Sequence, residues 1–370
     1  MKKPLIMHRI TCLILIWAAF FAQKSAAQEA RFSQISRSVF GLNPSTTGYD
    51  MGDYYHRFAV ATRTQWGSPW QNDAVQSYQA SYDFRLCGGK QRFGGRGRGK
   101  RQFKNNGTRQ ENLAFGIQGR RTHSNLADFT FSGLWLSAAY HQLLGENAML
   151  SAGAGVGMLN YSIDPGPLTF NEQFDGAGFN AALDNMEDFV YVSRFQPDLQ
   201  AGIMIHGEEF SAGLGLNHLN RPVFSFLGND NHLAIAMTLH GSYSINLHDG
   251  INPPWVNLQA FYHGPFSGEN NEQWLFIVGG RINYPVSRVN NFRMGASLRL
   301  APHETRSFLL DALTPSIQFD VASWSVCLSY DANLSRLRTT FTGGLELSAS
   351  VAFGNRPKCP GICPWANMRH

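Results

Sequence analysis

Charge is scarce in this chain: Asp, Glu, Lys and Arg together supply 15% of the residues, against about 25% in ordinary soluble domains. Long apolar runs are missing too. After the N-terminus, no stretch stays apolar for the roughly eighteen residues that a membrane-crossing helix needs, which excludes a helical membrane protein. Cysteine is limited to 5 residues. Cys12 falls in the N-terminal leader, and Cys87, Cys327, Cys359 and Cys363 do not follow the paired Cys-x-x-Cys spacing of a zinc site. Catalytic signatures are lacking as well, with no Gly-x-Ser-x-Gly elbow, no His-Glu-x-x-His pair and no nucleophile flanked by a base. The 12 histidines are scattered, and those such as His206, His240 and His263 fall on polar faces, where structural roles outnumber catalytic ones. The sequence therefore predicts no enzyme, no metal site and no cofactor.

Glycine, at 37 residues, and aromatics, at 13%, are abundant, and apolar residues recur with a period of two. From His232 to Asn246, Leu233, Ile235, Met237, Leu239, Tyr243 and Ile245 alternate with Ala234, Ala236, Thr238, His240, Ser242 and Ser244. Such a strand meets a different solvent on each face. Strands can satisfy their backbone hydrogen bonds in lipid only by closing on themselves. The predicted fold is all-β: a transmembrane antiparallel outer-membrane β-barrel of about fourteen strands, an even number that leaves both termini in the periplasm.

The N-terminus sets the compartment. Lys2, Lys3, His8 and Arg9 precede an apolar run from Ile10 to Ala22, and Ser25-Ala26-Ala27 offers small residues for cleavage. Residues 1–27 read as a cleaved signal peptide for export to a bacterial outer membrane. Residues 28–54 then form an N-terminal periplasmic or lumenal segment, 55–354 the barrel, and 355–370 a Cys/Pro-containing tail. In the tail, Cys359 and Cys363 suit either a disulfide or free thiols in an oxidising compartment.

Strands are expected at His56–Trp66 and Ala74–Leu86. They follow near 112–121, 129–142, 148–160, 198–206, 210–218, 232–246, 255–263, 273–284, 291–300, 312–320, 322–331 and 341–353. The first two place Arg57, Ala59, Ala61, Arg63 and Gln65, and then Ser77, Gln79, Ser81, Asp83 and Arg85, on the inner face. The last ends in Leu345, Leu347, Ala349, Val351 and Phe353 on the lipid face. Short turns at 143–147, 206–209 and 285–290 read as periplasmic, and longer connections at 161–197, 219–231 and 301–311 as outward-facing.

Three groups of residues are candidates for function. The lumen is expected to be lined by Arg57, Arg63, Gln65, Arg293, Arg299 and Glu346. Arginines would be prohibitive against lipid, so they belong inside, either as a carboxylate-pairing polar interior or as a charge network that closes the pore. The segment 87–111, periplasmic by strand order and the one long connection that breaks the rule of short periplasmic turns, carries Lys90, Arg92, Arg96, Arg98, Lys100, Arg101, Lys104 and Arg109 among glycines. It reads as a solvated basic loop or as a binder of lipid headgroups or an acidic periplasmic partner. The chain's positive excess, a net charge of +5, is concentrated in that loop, and no recognition helix or aromatic interleaving accompanies it, so nucleic acid is not an expected partner. The connection 161–197 holds Asp164, Glu172, Asp175, Asp184, Glu187 and Asp188 among phenylalanines. A folded lid, a calcium-holding loop, a protein contact and a hydrated acidic loop all fit it.

Short motifs in a fixed order add to the periodicity. They are Asn43-Pro44-Ser45-Thr46-Thr47-Gly48, Arg63-Thr64-Gln65-Trp66, Ser329-Tyr330-Asp331 with Ser335, Gly343-Gly344-Leu345-Glu346, and Lys358-Cys359-Pro360. Together they resemble the PorP/SprF family of Bacteroidota outer-membrane proteins. The chain departs from the family pattern at Thr46, Thr47 and Thr62, in the basic insertion and in a second Cys-Pro. The resemblance implies a non-enzymatic part in type IX secretion, supporting secretion or surface attachment of a specific large adhesin used in gliding or biofilm. The implied partners are the C-terminal domain of that adhesin and other outer-membrane and periplasmic components of the machine. Around the wall would lie the bilayer and lipopolysaccharide. The polar inner faces equally support a second reading, a passive channel for small solutes or hydrophobic molecules.

Overall fold

Fourteen antiparallel strands close into one barrel in a computed structural model of the chain. In chain order the strands are β1 (His56–Gln65), β2 (Val75–Gly88), β3 (Glu111–Ser124), β4 (Phe129–Leu144), β5 (Ala148–Ser162), the two-residue β6 (Phe174–Asp175) and β7 (Gly178–Phe179), β8 (Ser193–Gly207), β9 (Phe210–Asn217), β10 (Ala236–Asn246), β11 (Trp255–Pro265), β12 (Leu275–Pro285), β13 (Asn290–His303), β14 (Arg306–Val321), β15 (Trp324–Asn333) and β16 (Gly344–Phe353). Neighbours in sequence are neighbours in space, β8 follows β5, and β1 pairs with β16 to seal the wall. β6 and β7 form a separate hairpin. The structure describes residues 32–34, 41–49, 51, 54–65, 75–88, 111–125, 128–144, 148–164, 169–175, 178–180, 182–183, 193–226, 231–247, 253–266, 274–287, 289–303, 306–334 and 343–354. The leader 1–27, the basic residues Lys90 to Arg109 and the tail cysteines lie outside them.

Alternation decides which side chains enter the lumen. In β2, Ser77, Gln79, Ser81, Asp83 and Arg85 are buried, while Tyr78, Ala80 and Leu86 are exposed on the opposite face. Polar groups inside and apolar groups outside is the inverse of a soluble core, and it matches a wall with lipid around it. Connections 145–147, 208–209, 286–289 and 322–323 are short and share the end where β1 starts and β16 stops. Short turns mark the periplasmic end, so the longer connections 163–192, 218–235 and 334–343 face outward. Aromatic rings girdle the periplasmic end: His56 stacks on Phe353 at 5.4 Å, and Tyr82, Phe84 and Phe115 continue the row. Rings of this kind sit at the headgroup level, where one edge is wet and the other apolar.

Three expected boundaries are corrected. The strand read from His232 begins at Ala236 instead. Its first residues fold back as a loop, with His232 bridged to Val223 and the Leu233 N–H donating to the Pro222 carbonyl at 2.9 Å. Leu233 leaves the lipid face and packs on a buried cluster of Phe131, Trp135, Leu159 and Tyr161. The connection read at 301–311 is almost entirely strand, since β13 runs to His303 and β14 starts at Arg306. Register slips at Arg299/Leu300 and Ala301/His303 break the period-two pattern there. A bulge leaves Asp311 without an opposite residue and turns it inward to Arg299, which re-aims one side chain at the cost of local pairing. Finally, β8 starts at Ser193 and contains Pro197, whereas the expected strand began at residue 198. β8 pairs with β9 over Ala201–His206 and with β5 over its whole length, so on its β9 side Pro197 lies on an edge, where a missing N–H is tolerated. Asn220 from the adjoining loop donates to its carbonyl at 2.7 Å.

A lipid-facing charge tests this wall. Leu136, at the middle of β4, is 55% exposed and Leu144, at its periplasmic end, 51%. Leu136→Arg should destabilise the barrel by about 2–4 kcal/mol and Leu144→Arg by about 0–1 kcal/mol, because the cost depends on depth in the bilayer. Urea unfolding of the two variants in phospholipid vesicles measures the difference.

Candidate functional site

The lumen holds the chain's own N-terminal segment, whose described residues meet the wall at three levels. At the periplasmic level, the Gly48 N–H donates to Asp83 Oδ2 at 2.7 Å and the Gly48 carbonyl accepts from Arg85 Nε at 2.5 Å. Arg57 forks onto Asp83 at 3.0 and 2.8 Å and donates to the Tyr49 carbonyl at 2.8 Å. His141 Nε2 lies 2.9 Å from the Thr47 carbonyl and Nδ1 2.7 Å from Ser151 Oγ. A carbonyl only accepts, so Nε2 carries a proton. Gly48 has φ 77°, and a Cβ there would stand 2.5 Å from that of Ala114. Glycine satisfies both demands at once.

In the middle of the barrel, Asn43 caps a single 3-10 turn, Pro44–Thr46. Its Oδ1 accepts from Ser45 N at 3.0 Å and Ser45 Oγ at 2.7 Å, and its Nδ2 donates to the Ile203 carbonyl at 3.3 Å and to His240 Nε2 at 3.0 Å. Asn at the N-cap with Pro just inside is the arrangement that satisfies a turn's orphan donors at least cost. The turn lies directly on the wall. A Cβ at Gly153 would be 2.5 Å from the Pro44 carbonyl, and one at Gly202 would be 2.0 Å from Asn43 Oδ1.

At the outer level, Ser33 and Gln34 enter a cluster of buried charges. Arg63 donates to Asp331 at 2.5 Å and to Glu346 at 3.1 Å, and Arg299 donates to Asp331 at 2.6 Å and to Asp311 at 2.7 Å. Glu346 also accepts two consecutive backbone N–H groups, Ser33 at 2.7 Å and Gln34 at 3.0 Å. Asp331 takes Ser33 Oγ at 2.8 Å and Thr314 Oγ1 at 2.7 Å. The Gln34 amide donates to Ser329 Oγ at 2.9 Å and to the Glu346 carbonyl at 3.2 Å, and its oxygen accepts from Ser348. Burying charge is costly unless each group is paired and hydrogen-bonded, and here the N-terminal segment completes the pairing.

All six residues proposed for the lumen sit on inward-facing positions, but they do not form one site. Arg63, Arg299 and Glu346 converge on the outer cluster. Gln65 reaches it through Arg63 Nε at 3.4 Å. Arg57 belongs to the periplasmic group, and Arg293 lies apart, 2.8 Å from Asp320 and 5.5 Å from the Trp255 ring centre. Of the acidic outer residues, Glu172 is exposed in the 3-10 turn Asn171–Gln173 and Asp164 follows β5. The Asp175 backbone is in β6, and Asp184, Glu187 and Asp188 lie outside the described residues. Among those described, no three His, Cys, Asp or Glu side chains come together as a metal site.

Sequence reasoning missed Ser33, Gln34, Asp311 and a second buried trio, in which Asp198 accepts from Trp135 Nε1 at 2.8 Å and pairs with His218 at 2.9 Å. A signal was available for part of the outer cluster, because Arg63, Asp331 and Glu346 each belong to one of the short motifs.

A family model described as "Type IX secretion system membrane protein PorP/SprF" matches residues 24–351. No curated protein matches the chain in sequence. Among solved structures, the chain is similar to a Pseudomonas aeruginosa FadL homologue, at 12% identity and TM-score 0.43 over 84% of this chain and 93% of that one. It is also similar to the CymD monoaromatic hydrocarbon channel, at 11% identity and TM-score 0.44 over 89% and 96%. A third is Omp33 of Acinetobacter baumannii, at 12% identity and TM-score 0.39 over 82% and 100%. With the family model spanning nearly the whole wall together with the segment inside it, this chain belongs to the PorP/SprF family of type IX secretion system membrane proteins.

Proposed function

We propose that this outer-membrane barrel is a non-enzymatic secretion and anchoring component that holds one specific large adhesin at the cell surface through the adhesin's C-terminal domain. The observation that carries this reading is the occupied lumen: inward-facing polar groups at three heights bond to the N-terminal segment and to one another. An anchor needs a rigid, sealed wall with surfaces at both rims, outward for the secreted partner and periplasmic for the rest of the type IX machine. It needs no turnover, and the carboxylates and guanidinium groups of the outer cluster are tied up in mutual pairs, which supports a scaffold over a catalyst.

Deleting the gene is expected to remove one large protein from the cell surface while other type IX substrates remain. Affinity capture of the tagged barrel followed by mass spectrometry should recover that protein together with other secretion components. An unchanged surface proteome would overturn the reading. A steady open current from the wild-type protein in a planar bilayer would favour a passive channel instead.

A further inference from the structure

We propose that the outer half of the lumen is a peptide-recognition site. The chain's own Ser33-Gln34 occupies it, and an extended segment of a partner polypeptide takes that place when it presents a hydroxyl residue followed by a carboxamide. The turn in the middle of the N-terminal segment and the pair at its outer end are held in different ways. In the middle of the barrel the turn satisfies itself, with Ser45 N and Oγ on Asn43 Oδ1, Thr46 Oγ1 on the Asn43 carbonyl and Thr47 Oγ1 on the Pro44 carbonyl. It is wedged against wall glycines, and it stays seated when the outer end leaves.

Ser33 and Gln34, in contrast, bond to the wall with both backbone and side chains, as a bound peptide does. Glu346 clamps two successive backbone N–H groups, which any residue supplies. Selectivity lies in the side-chain sites. A hydroxyl fits between Arg63 at 2.6 Å, Arg299 at 3.2 Å and Asp331 at 2.8 Å. A carboxamide fits where Ser329 accepts its N–H and Ser348 donates to its oxygen. Mere filling of the lumen would need neither, and a site that hydrogen-bonds both groups rejects a ligand lacking them. A cavity of about 40 Å³ beside Ser33 and Gln34, bordered by Gln259, Ser297 and Ser316, leaves room for a side chain longer than that of Gln34.

The tethered segment competes at an effective concentration in the mM range. A displacing segment must therefore be delivered close by, as it would be on a partner already docked at the outer rim. Naming the secreted partner as the source of that segment rests on the proposed function; the site itself does not.

The test uses the full-length protein in detergent and a fluorescent peptide of its own residues 28–40. S33A/Q34A removes the side-chain hold on the tethered segment and leaves Arg63, Arg299, Asp331 and Glu346 paired. This variant should bind the peptide saturably and at least tenfold more tightly than wild type. Alanine at both peptide positions, or E346Q added to the variant, should weaken binding at least tenfold. S348A, which removes a single hydrogen bond to Gln34, replaces E346Q if that barrel does not fold. A folded S33A/Q34A protein that ignores the peptide, or binds the alanine version equally well, overturns the proposal. Peptide binding with no secreted partner in the affinity capture would instead count against the anchoring role and keep the site.

Discussion

Removing residues 28–49 is expected to turn an electrically silent barrel into an ion-conducting one. Fourteen strands enclose more space than the eight-strand barrels whose own side chains fill the interior, and in this chain the N-terminal segment takes up that excess. It meets the wall at three heights: by Gly48 against Asp83 and Arg85, by the Asn43 turn against Gly153 and Gly202, and by Ser33-Gln34 within the arginine cluster. The wall does not depend on it for closure. β1 pairs with β2 and with β16 over its whole length, His56–Gln65. The deletion should therefore still fold and migrate as a heat-modifiable barrel, while showing discrete open steps in planar bilayers where wild type shows none. Gly202→Leu should give an intermediate result, since even its Cβ would stand 2.0 Å from Asn43 Oδ1 and push the turn off its seat. A folded deletion variant that stays silent, or a wild-type protein that already conducts, would refute the idea that this segment is the seal.

The wall was legible in the sequence because lipid forces a local rule: each strand needs alternate apolar residues, and each residue can be read without its partners. β2 follows that reading residue by residue. Legibility failed where something non-local supplied the compensation. Asp311 and the slips around it look like a loop because a bulge interrupts the alternation, and only the opposite strand's Arg299 explains why the bulge is there. Pro197 looks like a terminator until Asn220 and the short β9 give it an edge to occupy. His232 to Ile235 alternate well enough for a strand, yet they fold back because Leu233 finds an aromatic cluster inside. The path of the N-terminal segment was the least legible feature. Its contacts join Ser33 and Gln34 to residues 298 to 314 positions away in sequence, such as Asp331, Glu346 and Ser348. Arginine on an inner face signals that a carboxylate must be near, but not which carboxylate, nor that a third group stands between them.

Arg63→Ala should be the most destabilising single change in the barrel, by about 3–5 kcal/mol, the range for breaking a buried ion pair by removing one partner. Arg63 and the two carboxylates it joins are each 2% exposed as side chains. Without it Asp331 retains Arg299, but Glu346 has no cation among its described partners and holds only the Ser33 and Gln34 N–H groups. Arg63→Lys keeps the charge and loses the fork, so it should fall between wild type and alanine, since one ammonium does not reproduce the two-way geometry of a guanidinium. Adding Glu346→Gln to Arg63→Ala should recover part of the loss, with a coupling of about 0.5–3 kcal/mol between the positions. Recovery stays incomplete because an amide has a single accepting oxygen, whereas Glu346 uses one oxygen for each backbone N–H. Arg57→Ala is the control: Arg57 is 21% exposed, and Asp83 keeps the Gly48 N–H, so its loss should cost clearly less. Equilibrium urea unfolding in phospholipid vesicles measures all four variants on one scale. If Arg63→Ala falls within about 1 kcal/mol of wild type, then water or backbone movement compensates the carboxylates that lose their partner, and the cluster's role would lie in holding the N-terminal segment alone. That outcome would predict a leaky Arg63→Ala barrel of nearly normal stability, which the bilayer recordings can distinguish from a sealed one.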